Sequence, residues 1–180
     1  SNSSAASEVY KRQHEGDVVA EVVTGDDGKA ETPELYLGRY EVEETLAPDG
    51  YVLNGEPVDV TLSYAGQEVA VTRAGAVVED APQKGVIEIV KTDEADGRAV
   101  PGAVYEVTAA ADIVTPDGTV HASSGDVVAT VTTGDDGKAE TDELYLGDYN
   151  VRETATPDGW AIDHETHMVE LSYAGQEVKV

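Results

Sequence analysis

Apolar and polar residues alternate in short runs along most of this chain, and Asp-Gly pairs punctuate the runs. A period of two marks a strand with one buried face. The alternation predicts strands at 18–23, 36–44, 58–64, 69–72 and 76–80, and again at 86–92, 103–108, 127–132, 145–153, 168–173 and 177–180. Asp27-Gly28, Asp49-Gly50, Asp96-Gly97, Asp117-Gly118, Asp136-Gly137 and Asp158-Gly159 supply the turns. No stretch carries the 3.6-residue spacing of an amphipathic helix. The expected class is all-β.

The pattern occurs twice. TGDDGKAETPELYLGRYEVEET starts at Thr24, and TGDDGKAETDELYLGDYNVRET at Thr133. Residues 17–71 align with 126–180 without a gap, and about two-thirds of the positions match, at an offset of 109 residues. That period suits one β-sandwich domain and is too long for a solenoid unit. The frame is unusual. GVIEIVKTDEADGRAVPGAVYEV, from Gly85, has no counterpart ahead of copy one, and AGAVVEDAPQKG, from Ala74, has none after copy two. On this reading copy one lacks its first strands and copy two its last, so either strands lie outside the sequence or a neighbour supplies them. The expected organisation is a tag scar and linker over 1–7, a first domain over 8–82 and a second over 83–180. Proline in APQKG is expected to break the strand at the boundary.

Each repeat places a charged residue on an apolar face. Tyr40, Val42 and Glu44 share a face in one copy, as do Tyr149, Val151 and Glu153 in the other. Ile87, Ile89 and Lys91 share another, and Ala76, Val78 and Asp80 a third. Burying a charge is costly, so such groups pair or shift their pKa. A desolvated lysine becomes a neutral amine and a nucleophile; a desolvated carboxyl stays protonated and electrophilic. With a glutamate to relay protons, the two condense to an amide. The plainer reading is an apolar strand ending in a charge that reaches solvent, with the lysine snorkelling.

Composition narrows the field. Cysteine is absent, so disulfides and Cys-ligated metals are excluded, and a covalent brace would need other chemistry. The net charge is −26, which argues against nucleic-acid binding and against anionic membranes. No run is long enough to span a membrane as a helix, and no membrane insertion is expected from this sequence. His164 and His167 sit three apart, on opposite faces if in a strand, and predict no metal site. The Asp-rich turns lack the ligand order of a calcium loop. No cofactor motif is present, and no enzyme is expected beyond a single self-crosslinking event. Tyr51 and Trp160 follow Pro-Asp-Gly at the same repeat position and read as sandwich-end aromatics.

IEIVKTDEADGRAVPGAVYEV, followed by TGDDGKAE and LYLGDYNVRETATPDGW, resembles the Cna protein B-type domain of Gram-positive surface proteins and pilins. Copy one repeats the later part as LYLGRYEVEETLAPDGY. The resemblance implies tandem Ig-like, transthyretin-like antiparallel β-sandwiches on a bacterial surface, as a stalk or pilin-type module of a wall-anchored adhesin. Candidate partners are then neighbouring repeats, pilin subunits or host extracellular matrix. The alternative is direct binding of host matrix or glycan. The resemblance also implies an intramolecular isopeptide bond: Lys91 fits its lysine, Glu44 and Glu153 its promoting glutamate, and Asp80 its acceptor, where asparagine is the commoner residue. Neither copy holds all three residues. The family topology sets the lysine and acceptor strands side by side and parallel, and the segment from Asp80 to Lys91 is too short for that crossover.

Overall fold

The computed structural model describes residues 14–176, so the expected strand at 177–180 and the opening 1–7 lie outside the described residues. Strands in chain order are β1 (Gly38–Val42), β2 (Tyr51–Val52), β3 (Val58–Leu62), β4 (Ala81–Pro82), β5 (Lys84–Gly85), β6 (Glu88–Val90) and β7 (Val104–Ala109). They continue as β8 (Ile113–Val114), β9 (Val120–Ala122), β10 (Val127–Thr132), β11 (Lys138–Glu140), β12 (Leu144–Tyr145), β13 (Gly147–Ala155) and β14 (Thr166–Leu171). The described residues contain no helix. The chain forms two compact units, Ser1–Tyr40 with Asp59–Gly75, and Glu41–Val58 with Ala76–Val180.

The first unit contains the paired parts of β1 and β3. Its Asp-Gly turn is tied by Gly25 N–H to Lys29 O at 3.0 Å and Gly28 N–H to Gly25 O at 2.9 Å. The strands expected at 18–23 and 69–72 are not strands. Val18 and Val23 are 80% and 92% exposed. Val69 N–H closes a turn onto Gly66 O at 3.1 Å, so it is not offered to a ladder. Alternation records which face a strand would bury; it does not supply the neighbour that makes it a strand.

The second unit is built on a four-stranded antiparallel sheet in the order β10-β7-β13-β14. Period-two burial selects its inner face. Tyr105, Val107 and Ala109 on β7, Tyr149, Val151 and Glu153 on β13, and Leu171 on β14 are all buried. Ile87, Ala103 and Ile113 pack with these apolar residues to form the core. β6 pairs with β11 and β5 with β12, all antiparallel. In both repeats a tyrosine hydroxyl ties back to the carbonyl four residues earlier, Tyr149 to Tyr145 and Tyr40 to Tyr36. Burial pushes the Tyr149 hydroxyl up to about 12.

The expected strand at 76–80 is displaced. Asn54 Nδ2 takes the Glu79 carbonyl at 3.1 Å, and pairing begins only at β4, which meets β2. Residues 81–85, expected as a break, carry β4 and β5 instead. Pro82 offers no N–H, but the next residue does, and Gln83 N–H reaches Gly50 O at 2.7 Å.

Candidate functional site

Glu153 lies near the end of β13, next to a bulge where the register to β7 shifts between Glu153 and Ala155. The alternation that buries Tyr149 and Val151 carries its side chain inward to 0% exposure. Lys91 follows β6 and shares the face of Ile87 and Ile89. Its Nζ stands 3.2 Å from Glu153 Oε2, with 18% of the lysine side chain exposed. Asp163 N–H donates to that same Oε2 at 2.6 Å. Glu153 Oε1 is buried with no hydrogen-bond partner.

The lysine backbone is gripped by the repeated turn. Lys91 N–H donates to Gly137 O at 2.8 Å, and Val100 N–H to Lys91 O at 3.0 Å. Gly137 has φ +74°, and a Cβ there would stand 2.5 Å from Lys91 O. Glycine is therefore required for both its conformation and its space.

Burial acts on Lys91 in the direction expected of a desolvated amine, downward. The hydrogen bond to Glu153 and the electrostatic influence of Tyr105, Glu153 and Asp163 outweigh it and hold the lysine pKa above its ordinary value. The lysine is thus an ammonium paired to a carboxylate. Tyr105 is raised by burial and by the Glu153 charge. A backbone hydrogen bond from Glu165 leads the causes that hold Asp163 low.

Copy one holds the complementary half. Glu44 Oε2 accepts Asn54 N–H at 2.9 Å, the counterpart of the Glu153–Asp163 bond 109 residues on. Asp80 adjoins Glu44. Burial, then the Glu44 charge and a side-chain hydrogen bond to Glu44, raise the Asp80 pKa. Asp80 Oδ1 is buried with no hydrogen-bond partner. The structure therefore brings together Lys91 with Glu153, and Asp80 with Glu44; Lys91 pairs to a glutamate and not to Asp80. The backbone amides of Asn54 and Asp163 were not foreseen from sequence. Neither was Tyr105, although its place opposite Glu153 in the register follows once β7 and β13 are paired.

Two further clusters carry no signal in the sequence. His121 stacks on Tyr145 with centroids 3.6 Å apart, and Lys84 Nζ lies 4.7 Å from the Tyr145 ring centre. Gln83, 1% exposed, is bonded through both ends of its carboxamide to the turn at 174–175. His167 pairs with Asp163 at 3.5 Å, and Trp160 is 36% exposed.

Comparison with known proteins identifies the fold family. The chain resembles the Bacillus anthracis TIE protein at 30% identity and TM-score 0.60, over 88% of this chain and 27% of that one. It spans about a quarter of the length of that relative. It also aligns with the group B streptococcus pilus 2b backbone protein, at 16% identity and TM-score 0.41 over 71% of this chain and 43% of that one. A streptococcal ancillary pilin aligns at 21% identity and TM-score 0.34 over 81% and 42%. Among curated proteins none matches. The model of the SpaA prealbumin-like fold domain matches residues 3–75 and again 85–180. With two matches that together take in most of its length, the chain belongs to the SpaA prealbumin-like fold domain family, in two tandem repeats.

Proposed function

We propose that the chain is a structural module of a bacterial surface stalk or pilus shaft, braced by isopeptide bonds for which Lys91 is a donor, Asp80 an acceptor, and Glu44 and Glu153 the promoting groups. The observation that carries this reading is the buried Lys91–Glu153 pair, with Lys91 Nζ 3.2 Å from Oε2. Family membership supports a structural role. Partners on this reading are neighbouring repeats and other pilin-type subunits, outside the cell and linked to the cell wall.

The chemistry balances without a cofactor. Lys91 Nζ gives a proton to Glu153, and the neutral amine attacks the acceptor carboxyl carbon. The C–N bond forms as the C–OH bond breaks; the nitrogen sheds a second proton, one of the two protons leaves with the hydroxyl as water by way of the glutamate, and the other passes to solvent. An asparagine acceptor would release ammonia. The raised pKa of Asp80 suits this step, because a protonated carboxyl has water and not oxide to expel. The glutamate ends as it began and the lysine does not, so each site reacts once.

Intact-mass measurement of the folded protein carrying Lys91, Glu153 and an acceptor 109 residues beyond Asp80 tests this. A deficit of one water or one ammonia per site is expected, and Lys91→Ala abolishes it. An unaltered mass in the folded protein sinks the cross-link.

One observation favours a second reading, direct ligand binding. A groove of about 490 Å³ is lined by His121, Asp126, Glu143, Tyr145 and Tyr149 among others, beside the His121–Tyr145 stack. Aromatic faces with polar groups at their edge suit a glycan or an extended peptide. Binding of host matrix protein or glycan that is lost in Tyr145→Ala would establish it; binding that survives the substitution would rule out this groove.

A further inference from the structure

The segment between the repeats is fastened on both sides. Ala81 and Pro82 pair with Val52 and Tyr51. The Gln83 side chain donates from Nε2 to Gly175 O at 2.7 Å and accepts Ala174 N–H on Oε1 at 3.0 Å. A carboxamide has one acceptor oxygen and one donor nitrogen, and this turn offers their complements from main chain alone. Gln176 reciprocates: its Oε1 accepts Ala47 N–H at 3.0 Å and its carbonyl accepts Leu53 N–H at 2.9 Å. Lys84 and Gly85 then pair with Tyr145 and Leu144, and the lysine lies on the Tyr145 ring.

The residues that receive Gln83, Lys84 and Gly85 recur 109 positions earlier. Tyr173-Ala174-Gly175-Gln176 is Tyr64-Ala65-Gly66-Gln67, and Leu144-Tyr145 is Leu35-Tyr36. The turn keeps its backbone shape: φ is +107° at Gly175 and +114° at Gly66. Gly66 O already accepts Val69 N–H at 3.1 Å and has its second lone pair left for a further donor; the larger difference is cover. Tyr64 is 70% exposed against 36% for Tyr173, and Tyr36 is 64% exposed where Tyr145 is half-buried.

We propose that the turn 64–67 and residues 35–36 form a receptor for the end of another repeat of this kind. The occupant is an extended Ala-Pro-Gln-Lys-Gly linker. Its glutamine carboxamide takes Ala65 N–H and Gly66 O, and its lysine lies on the Tyr36 ring. The turn is already shaped, so docking orders little beyond the linker. A lysine in the linker also suits a chain of net charge −26. The inference does not depend on the cross-link.

The test is an NMR titration of the ¹⁵N-labelled chain with a nine-residue peptide of sequence VVEDAPQKG. Saturable amide shifts at Tyr36, Ala65 and Gly66 are expected, and the same peptide with alanine for glutamine should bind about tenfold more weakly. If those amides stay still at millimolar peptide, or if the alanine peptide binds as well, the receptor does not exist.

Discussion

Glu153 gathers two donors on one oxygen: Lys91 Nζ at 3.2 Å and Asp163 N–H at 2.6 Å, both to Oε2. Removing this carboxylate strands a half-buried ammonium and a backbone amide together. Glu153→Ala should cost about 3 kcal/mol, as expected for one partner of a buried ion pair. Lys91→Met should cost less, and a double-mutant cycle should return a coupling of about 1–2 kcal/mol. Urea unfolding followed through Trp160, the single tryptophan, reads the second unit directly. A Glu153→Ala cost below about 0.5 kcal/mol, the range of ordinary surface substitutions, would contradict the buried pair.

Lys91 also sets an alkaline limit. Its folded pKa is raised, so its contribution is complete below the unfolded lysine value and is lost as pH climbs through the folded one. Melting temperatures of the parent protein should therefore fall across that window. Those of Lys91→Met should fall less. Parallel curves would show that the lysine is not the group responsible.

Asp80 works in the opposite sense. Its folded pKa is also raised, but for a carboxyl this means the folded state holds the proton more tightly than the unfolded state. Stability declines as pH rises from the ordinary aspartate value through the folded one. Asp80→Asn removes that decline and should be more stable than the parent protein at neutral pH. Calorimetry at acid and neutral pH decides it; a variant that loses stability in step with the parent refutes the assignment.

The two copies of the Asp-Gly turn make a matched pair of probes. Gly28 and Gly137 have φ of +70° and +74°, so alanine is strained at either. A Cβ on Gly28 meets nothing within 4 Å, whereas one on Gly137 meets Lys91 O at 2.5 Å and Val100 N at 3.1 Å. Gly28→Ala should cost about 1 kcal/mol. Gly137→Ala should cost at least about 3 kcal/mol, because backbone must move as well. Equal costs, by chemical denaturation, would mean that the turn does not press on the lysine strand.

Alternation in the sequence was a good guide wherever a strand found a neighbour. It located β7, β10, β13 and β14 to within a few residues and put Tyr149, Val151 and Glu153 on one face. It failed at 18–23 and 69–72, because a period of two specifies sides and not partners. At 76–80 the Glu79 carbonyl accepts a side-chain hydrogen bond from Asn54 Nδ2, and pairing begins only at Ala81. The charged residues of the site stood out because they interrupt apolar faces. Gln83 did not, since a glutamine beside a proline looks like any linker residue. Its role depends on two main-chain groups 91 and 92 residues away.

The amides that anchor the two glutamates come from Asn54 in one copy and Asp163 in the other. The anchor itself survives a change of side chain at these positions, because it belongs to the peptide bond and every residue but proline carries it. A duplicated gene can thus rewrite the letters beside its reactive glutamate and still pass on the contact.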